Sequence, residues 1–557
     1  AEVVQFGDLL PVTGSLGSAR EGDRVIVRVL REENREDRAP AVAISAVYGP
    51  ASLASSCAAA LLDQAGITPD FPMAVMDEAR FLEHRGISAA ETAGRTDFRA
   101  LPIFTIDGAD SKDLDDAIHL EKRPDGWLLG VHIADVSHYV RAGSNLDNEA
   151  FRRGTSIYYA DRVIPMLPRE LSNGICSLNP GEDRLAFSAL LTLTPDGQLK
   201  EWKFCKSVIC SRVKGVYGEV NQLLDGSTDP ALTEKYAAVL DELANIRELG
   251  RILKANQLKR GAPVIDSAES KIILGEDGRT ADIQPRHRGE AEEIIEVFMI
   301  AANEAAARMA REAGIPFVYR VHESPSPEKV EALRILLKAL GQDASALKKD
   351  TIPVSALSQV LQQTADSPSR LAVHRQVLRT MMKAQYSEHP TGHYGLALAD
   401  YCHFTSPIRR YPDLAIHRIL TDLIEEYQPA DYIQRRYRVF TVRAAAHSSE
   451  TELAAMDVER SCEDCYKAEY MQDRVGEVFD ATISGVASYG FYVALENTVE
   501  GPVHLTALPE GQYLCDDIAL TNTVSGRRYR IGDHLRVKCL AADVSGGKID
   551  FGLETAQ

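Results

Sequence analysis

The chain has 557 residues, 45% of them hydrophobic and 26% charged, with a formal net charge of −19. This is ordinary globular composition, long enough for a large core and more than one domain. The negative sum argues against a protein that grips polyanions by overall charge, although an acidic shell can surround a basic channel.

In chain order, residues 1–48 read as short strands and turns. "EGDRVIVRVL" (21–30) sets a Gly-Asp turn before alternating residues, the period-2 pattern of a half-buried strand. The piece is too short for a full barrel. Residues 49–90 are Ala-rich, helical in pattern, and expected to form a linker. Residues 91–472 form the long middle, with strand candidates at 128–134 and 185–194. Its clearest predicted helix, 289–314, starts acidic, ends basic and closes on Gly314, which suits the helix dipole and a glycine stop. Further helices are predicted at 327–341, 353–365, 411–427 and 432–470. No repeat or low-complexity tract interrupts this α+β body. Residues 473–557 then alternate apolar and polar positions between Gly turns. About five short strands there predict a small barrel of the OB kind.

No apolar run approaches the roughly 20 residues a membrane span needs. The start, "AEVVQFGDLLPVTG", has no basic segment before an apolar core, so no signal peptide is read, and a cytoplasmic location is expected. The chain opens without Met, so sequence may precede it in the native protein. Nine cysteines are scattered along the chain, and only Cys462 and Cys465 form a CxxC pair. Free thiols in a reducing compartment explain them better than zinc.

Three segments carry chemistry. "DGADSKDLDDAIH" (107–119) crowds five aspartates, Asp107, Asp110, Asp113, Asp115 and Asp116, between two apolar runs. A solvated acidic turn is one reading. The other is a cation site. Asp113 and Asp116 stand at i,i+3 and Asp107 ends a strand candidate, so a turn can bring three or four carboxylates to one point. Such a cluster repels itself unless a cation neutralises it, and Mg²⁺ favours carboxylates, water and phosphate. No EF-hand pattern is present. In "FTSPIRRYPDLAIHRIL" (404–420), Ser-Pro breaks the preceding structure and Arg409 and Arg410 precede a helix, suited to gripping phosphate or to a plain surface pair. The Pro- and Gly-rich segment 154–188 reads as an ordered loop in which Tyr158 and Tyr159 can stack on bases or simply fill a core.

Taken together, "TIDGADSKDLDDAIH", "HIADVSHYV", "IPMLPRELSNGICSLNP", "ANEAAA", "HFTSPIRRYPDLAIHR" and "GEVFDATISGVASYGFYV" resemble the ribonuclease II/R (RNB) family of 3′→5′ exoribonucleases. The wording is closer to the ribonuclease R branch. The resemblance covers roughly residues 91–557 and implies a multidomain α+β fold. A catalytic RNB domain at 91–472 is followed by an S1 barrel at 473–557, with 1–48 the remnant of a cold-shock-like OB barrel and 49–90 the linker. It also implies processive hydrolysis of RNA to nucleoside 5′-monophosphates. Asp107, Asp113, Asp115 and Asp116 would hold Mg²⁺, two ions during catalysis, with Mn²⁺ able to substitute. Asp115 is expected to matter most for turnover, and Asp110 lies outside the pattern, at the periphery.

By the same resemblance, Arg409 contacts the terminal phosphates and Tyr158 stacks near the 3′ end. Tyr319, or its neighbour Phe317, supplies the opposite clamp, and Glu459 lines the exit end of the site. Tyr489, Tyr492 and His504 face RNA on the S1 barrel, with Arg536 and Lys538 as phosphate contacts. The implied partner is a single-stranded RNA 3′ end bound by a monomer, with RNA-decay or ribosome-associated proteins as further candidates. Only part of the usual N-terminal barrels and no Lys-rich tail are seen. The rival reading is a catalytically silent RNA-binding protein with the same fold, and the intact set of aspartates and Arg409 speaks against it.

Overall fold

Two stretches rich in Val, Ile, Leu and Phe, 116–134 and 183–210, build the central sheet. The computed structural model describes residues 9–30, 41–264, 269–286, 288–347, 352–367, 370–425, 427–516 and 518–554. Five strands lie in the order Thr96–Asp97, Leu199–Cys210, Asp183–Leu193, Gly126–Ala134, Asp116–Arg123. Neighbours are antiparallel except Thr96–Asp97, which runs parallel to Leu199–Cys210.

Both faces of this sheet are covered, so its inner strands are buried almost continuously rather than at every second residue. Ile118, Leu129, Val131, Phe187 and Leu191 share a core with helices Leu240–Lys259 and Glu290–Glu312. Ala117, Ala134, Leu185 and Val208 belong to a second core with Leu114, Leu171 and the helix Met73–Arg85. Helix Tyr411–Ile424 contributes to both: Ile416 and Ile419 to the first, Tyr411 and Leu414 to the second. The helix predicted at 289–314 spans Glu290–Glu312, with Glu290, Glu292 and Glu293 in its first turn and Arg311 in its last. Gly314, at φ 62°, takes the left-handed step beyond its end.

Helices Pro327–Ala339, Val354–Gln363 and Arg370–Thr380 enclose a small core of their own around Leu333, Leu337, Leu357 and Val373. Helix Ala430–Gln472 has 43 residues, an extent of about 65 Å. It packs on Tyr411–Ile424, on Ala54–Gln64 and on the C-terminal barrel. That barrel closes through Val478–Ala487, Gly490–Leu495, Glu500–His504, Lys548–Leu553 and His534–Asp543 around Phe491, Val493, Val537 and Phe551. A three-stranded sheet, Tyr513–Cys515, Ala519–Asn522 and Arg528–Arg530, is added beside it.

At the N-terminal end, Asp23–Val29 pairs antiparallel with Val42–Pro50, and Val12 bridges to Val42. The stretch expected as a linker is packed instead. Ala54, Cys57, Ala58 and Leu62 pack with Cys462 and Tyr466 of the long helix, and Ala54 N–H donates to Glu469 at 3.0 Å. Much of the contact is made by small side chains, Ala54, Cys57 and Ala58. No described helix is long and apolar enough to cross a membrane.

Candidate active site

The aspartates sit on an excursion between two strands. Asp107 ends Thr105–Asp107, which pairs in parallel with Lys214–Val216. Asp116 opens the edge strand of the central sheet. Reciprocal backbone bonds between Phe104 and Ile118, 3.1 and 2.9 Å, close the base of the excursion. Leu114, 1% exposed, plugs into the second core between Asp113 and Asp115. Ser177 secures the same side: its Oγ donates to the Lys112 carbonyl at 2.8 Å and accepts Leu114 N–H at 3.1 Å. The loop is thus anchored, as its apolar flanks imply.

Asp115 is buried. Its Oδ1 accepts Ile408 N–H at 2.8 Å. Its Oδ2 is buried with no hydrogen-bond partner, and Arg409 Nε stands 3.8 Å away. Burial pushes its pKa well above the carboxylate range, against the pull of Arg409 and the Ile408 amide. Asp107 Oδ2 is likewise buried and unpartnered. Burial, and then the charge of Asp116, push the Asp107 pKa up to about 8. Burial also raises Asp116 to about 6, with Arg409 and Arg410 opposing. Asp113 accepts the Tyr158 hydroxyl at 3.2 Å. Asp110 is exposed on the turn.

Among the described residues, no three His, Cys, Asp or Glu side chains form a ready metal-binding group. The acids still act on one another, Asp116 and Asp113 on Asp107, and Asp113 and Asp116 on Asp115. Each has a separate hold: Asp115 on the Ile408 amide, Asp113 on Tyr158. The donor chemistry nevertheless fits a hard divalent cation, because two buried carboxylate oxygens lack any hydrogen-bond donor.

Arg409 reaches this place through the Ser-Pro turn. Its carbonyl accepts Ser156 N–H at 3.0 Å, tying the turn to the segment that carries Tyr158. Its Nη2 donates to Ser406 Oγ at 3.1 Å, and its side chain stays 42% exposed. Arg410 points the other way, onto Asp413, with bonds of 2.9 and 2.8 Å. Of the two arginines, then, only Arg409 is available to a ligand. Tyr158 is 37% exposed, and its N–H donates to Glu459 at 2.7 Å. Burial raises the Glu459 pKa, against that bond. Glu459 thus belongs to the Tyr158 support.

Phe317 and Tyr319 are not brought here as a clamp. Phe317 is fully buried and Tyr319 is 3% exposed, both in the main core, with ring centroids 5.4 Å apart. Neither offers a ring face to a base. On the barrel, Tyr489 and Tyr492 join hydroxyls. His504 lies 5.7 Å from Tyr489, ring to ring, and 3.6 Å from Asp550. Arg536 and Lys538 are exposed two residues apart on one face of their strand, and Arg536 pairs with Glu554 at 3.2 Å.

Two supporting residues, Asp413 and Tyr217, escaped sequence reading. The buried Arg410–Asp413 pair fixes the arginine turn, and Asp413 also accepts Ser406 N–H at 2.8 Å. Tyr217 is a second hydroxyl at the cluster, its pKa raised by burial and then by Asp116 and Asp107. The charged spacing in "RRYPD" is a legible signal for the first; "KGVYGEV" holds none for the second.

An acid-lined loop at a sheet edge, an adjacent half-exposed arginine and a C-terminal OB-type barrel stand together in this chain. Residues 95–426 match the RNB domain and residues 472–554 the S1 RNA binding domain. The chain belongs to the RNB family. It is 40% identical to ribonuclease R 1 of Lactococcus lactis over 87% of this chain and 59% of that protein. It is 43% identical to ribonuclease R of Thermotoga maritima over 87% of this chain and 68% of that protein. Its structure is similar to Mycoplasma genitalium RNase R in complex with ribose methylated single-stranded RNA. The TM-score is 0.91 and the identity 28%, covering 98% of this chain and 85% of that one.

Proposed function

We propose that this chain hydrolyses single-stranded RNA from the 3′ end, processively, releasing nucleoside 5′-monophosphates. The observation that carries the reading is the pair of buried, unpartnered carboxylate oxygens on Asp107 and Asp115, next to an arginine that stays 42% exposed. Asp107, Asp113, Asp115 and Asp116 are the residues to hold Mg²⁺, or Mn²⁺ in its place. When bound, the ions neutralise the cluster and supply Lewis-acid activation to water and the leaving oxygen.

The side chains have their own tasks. Asp115, fixed by the Ile408 amide, keeps one oxygen directed into the site. Arg409 offsets charge on the phosphorane. Tyr158, held at its backbone by Glu459 and at its hydroxyl by Asp113, offers a ring for stacking on a base near the 3′ end. Water adds to phosphorus, the bond from phosphorus to the 3′-oxygen of the preceding nucleotide breaks, and that oxygen takes a proton. Tyr489, Tyr492, His504, Arg536 and Lys538 hold RNA upstream. The chain acts as a monomer in the cytoplasm on RNA 3′ ends.

The test is a 5′-labelled single-stranded RNA with Mg²⁺, comparing wild type with Asp115→Asn. A ladder shortening from the 3′ end, with monophosphates released and the variant silent, supports the reading. Tight binding without cleavage by both proteins leaves an RNA-binding protein.

A further inference from the structure

Half of the aspartate loop is tied down by Leu114 and Ser177. The other half, Gly108 to Lys112, is exposed or only partly covered. Ser177 holds its far end at the Lys112 carbonyl, and among the described residues a second side chain holds its middle. Lys214 lies on the strand paired with Thr105–Asp107, directly opposite Thr105. Its Nζ donates to the Ala109 carbonyl at 2.9 Å and to the Ser111 carbonyl at 2.6 Å. Both carbonyls belong to the stretch that separates Asp107 from Asp113.

An ammonium in so acidic a neighbourhood would ordinarily pair with a carboxylate. Among the described residues, the hydrogen bonds of Lys214 go to backbone oxygens instead, while its charge still acts on Asp107. Three N–H donors on a flexible stem can grip two carbonyls without occupying a carboxylate oxygen. The acids are thereby held against their own repulsion and remain open to a ligand.

We propose that Lys214 is a positioning residue of the cation site. By clamping Ala109 and Ser111 it fixes the separation of Asp107 and Asp113 before a cation binds. It therefore governs divalent-cation affinity more than turnover at saturating cation. A site organised in advance loses less freedom on binding. The inference rests on the reading of the aspartate cluster as a cation site, and on the geometry of the clamp for the role of Lys214.

The experiment measures Mn²⁺ binding to the purified full chain without RNA, from the electron paramagnetic resonance signal of free Mn²⁺. Wild type, Lys214→Met, Lys214→Gln, Lys214→Arg, Lys112→Met and Asp115→Asn are compared, each checked by a urea unfolding curve. Lys214→Met is expected to weaken Mn²⁺ about 10-fold, the lower end of losses from removing an outer-sphere support. Lys214→Gln, which keeps a donor, serves if the Met variant does not fold. Lys214→Arg should recover part of the loss. Lys112→Met, which removes an equal charge from the loop itself without a clamp, should stay within about 2-fold if positioning rather than bulk charge matters. In RNA cleavage, Lys214→Met should raise the Mn²⁺ needed for half-maximal rate far more than it lowers the saturated rate. Unchanged Mn²⁺ affinity in Lys214→Met and Lys214→Gln overturns the proposal, as does an equal loss in Lys112→Met. Equal Mn²⁺ binding by wild type and Asp115→Asn overturns the cation reading beneath it, an outcome recognisable without any Lys214 variant.

Discussion

Replacing Asp413 tests how far the arginine turn depends on one buried charge. Asp413 is fully buried and receives three bonds: 2.8 and 2.9 Å from Arg410 and 2.8 Å from Ser406 N–H. Asp413→Ala leaves a largely buried guanidinium and a buried amide unpaired. Stranding one partner of a buried pair costs about 3–5 kcal/mol, and an orphaned amide about 1–3 kcal/mol. The same local relaxation relieves both, so the expected loss is about 4 kcal/mol rather than their sum. Asp413→Asn retains an acceptor oxygen and should lose roughly half as much. Both tryptophans, Trp127 and Trp202, lie on central-sheet strands, so their fluorescence in a urea titration reports this domain. A cycle of Arg410→Met, Asp413→Leu and the double variant isolates the pair: the double variant should be at least about 2 kcal/mol more stable than additivity requires. Because this turn also delivers Ile408 N–H to Asp115 and carries Arg409, folded Asp413→Ala should lose about 10-fold or more in RNA turnover. Additivity within about 0.5 kcal/mol, or a stability loss under about 1 kcal/mol, would refute the reasoning.

Three further outcomes are expected. His119 and His132 are buried and joined at 2.7 Å. Burial pushes the His119 pKa down to about 4 and that of His132 well below the usual range. The unfolded chain therefore binds more protons below about pH 6.5, so stability is full above that pH and falls as pH drops toward 4. A flat urea midpoint across this window would contradict it. Gly130→Ala would set its Cβ 2.0 Å from His119 Cε1 and 2.2 Å from its Nδ1, so a loss of about 1–3 kcal/mol is expected; a neutral result would mean the imidazole moves aside freely. On the barrel, Arg536→Ala and Lys538→Ala should each flatten the salt dependence of RNA binding by about 0.7 in log–log slope. Tyr489→Ala should weaken binding by about 1–3 kcal/mol with the slope kept; the reverse pattern would reassign these residues.

The long, strongly patterned elements were legible from residues alone. The OB-type barrel followed from period-2 alternation between glycine turns, and Glu290–Glu312 from its charge gradient and Gly314. Leu240–Lys259 went unread although "LDELANIRELGRIL" carries helical spacing. The alanine-rich segment 49–90 misled because the partners of Ala54–Gln64 lie on Ala430–Gln472, far away in sequence. Phe317 and Tyr319 show a sharper limit. A residue-type match cannot tell an aromatic ring in a channel from one in a core, and only the packing of Phe317 and Tyr319 with Cys402 and Phe404 places them. Nor does spacing reveal that Thr155 and Ser156 bind the Arg409 carbonyl, since 253 residues or more separate the partners.

The acids of the cluster differ from the other buried aspartates in one respect. Asp135 is fully buried, yet Lys206 at 2.7 Å and Arg95 at 2.8 Å hold its pKa far down against burial. Asp413 has Arg410, and Asp147 has Arg418 at 2.7 Å. In each of these the fold supplies a close cation and satisfies the charge. Around Asp107, Asp115 and Asp116 it supplies an amide, a half-exposed arginine at 3.8 Å and a lysine committed to backbone carbonyls. At Asp135, Asp147 and Asp413 the chain neutralises a buried aspartate with a close cation. At the cluster it leaves the charge unbalanced while anchoring the loop on both sides, and anchoring without neutralisation is the arrangement of a site whose counter-charge comes from a ligand.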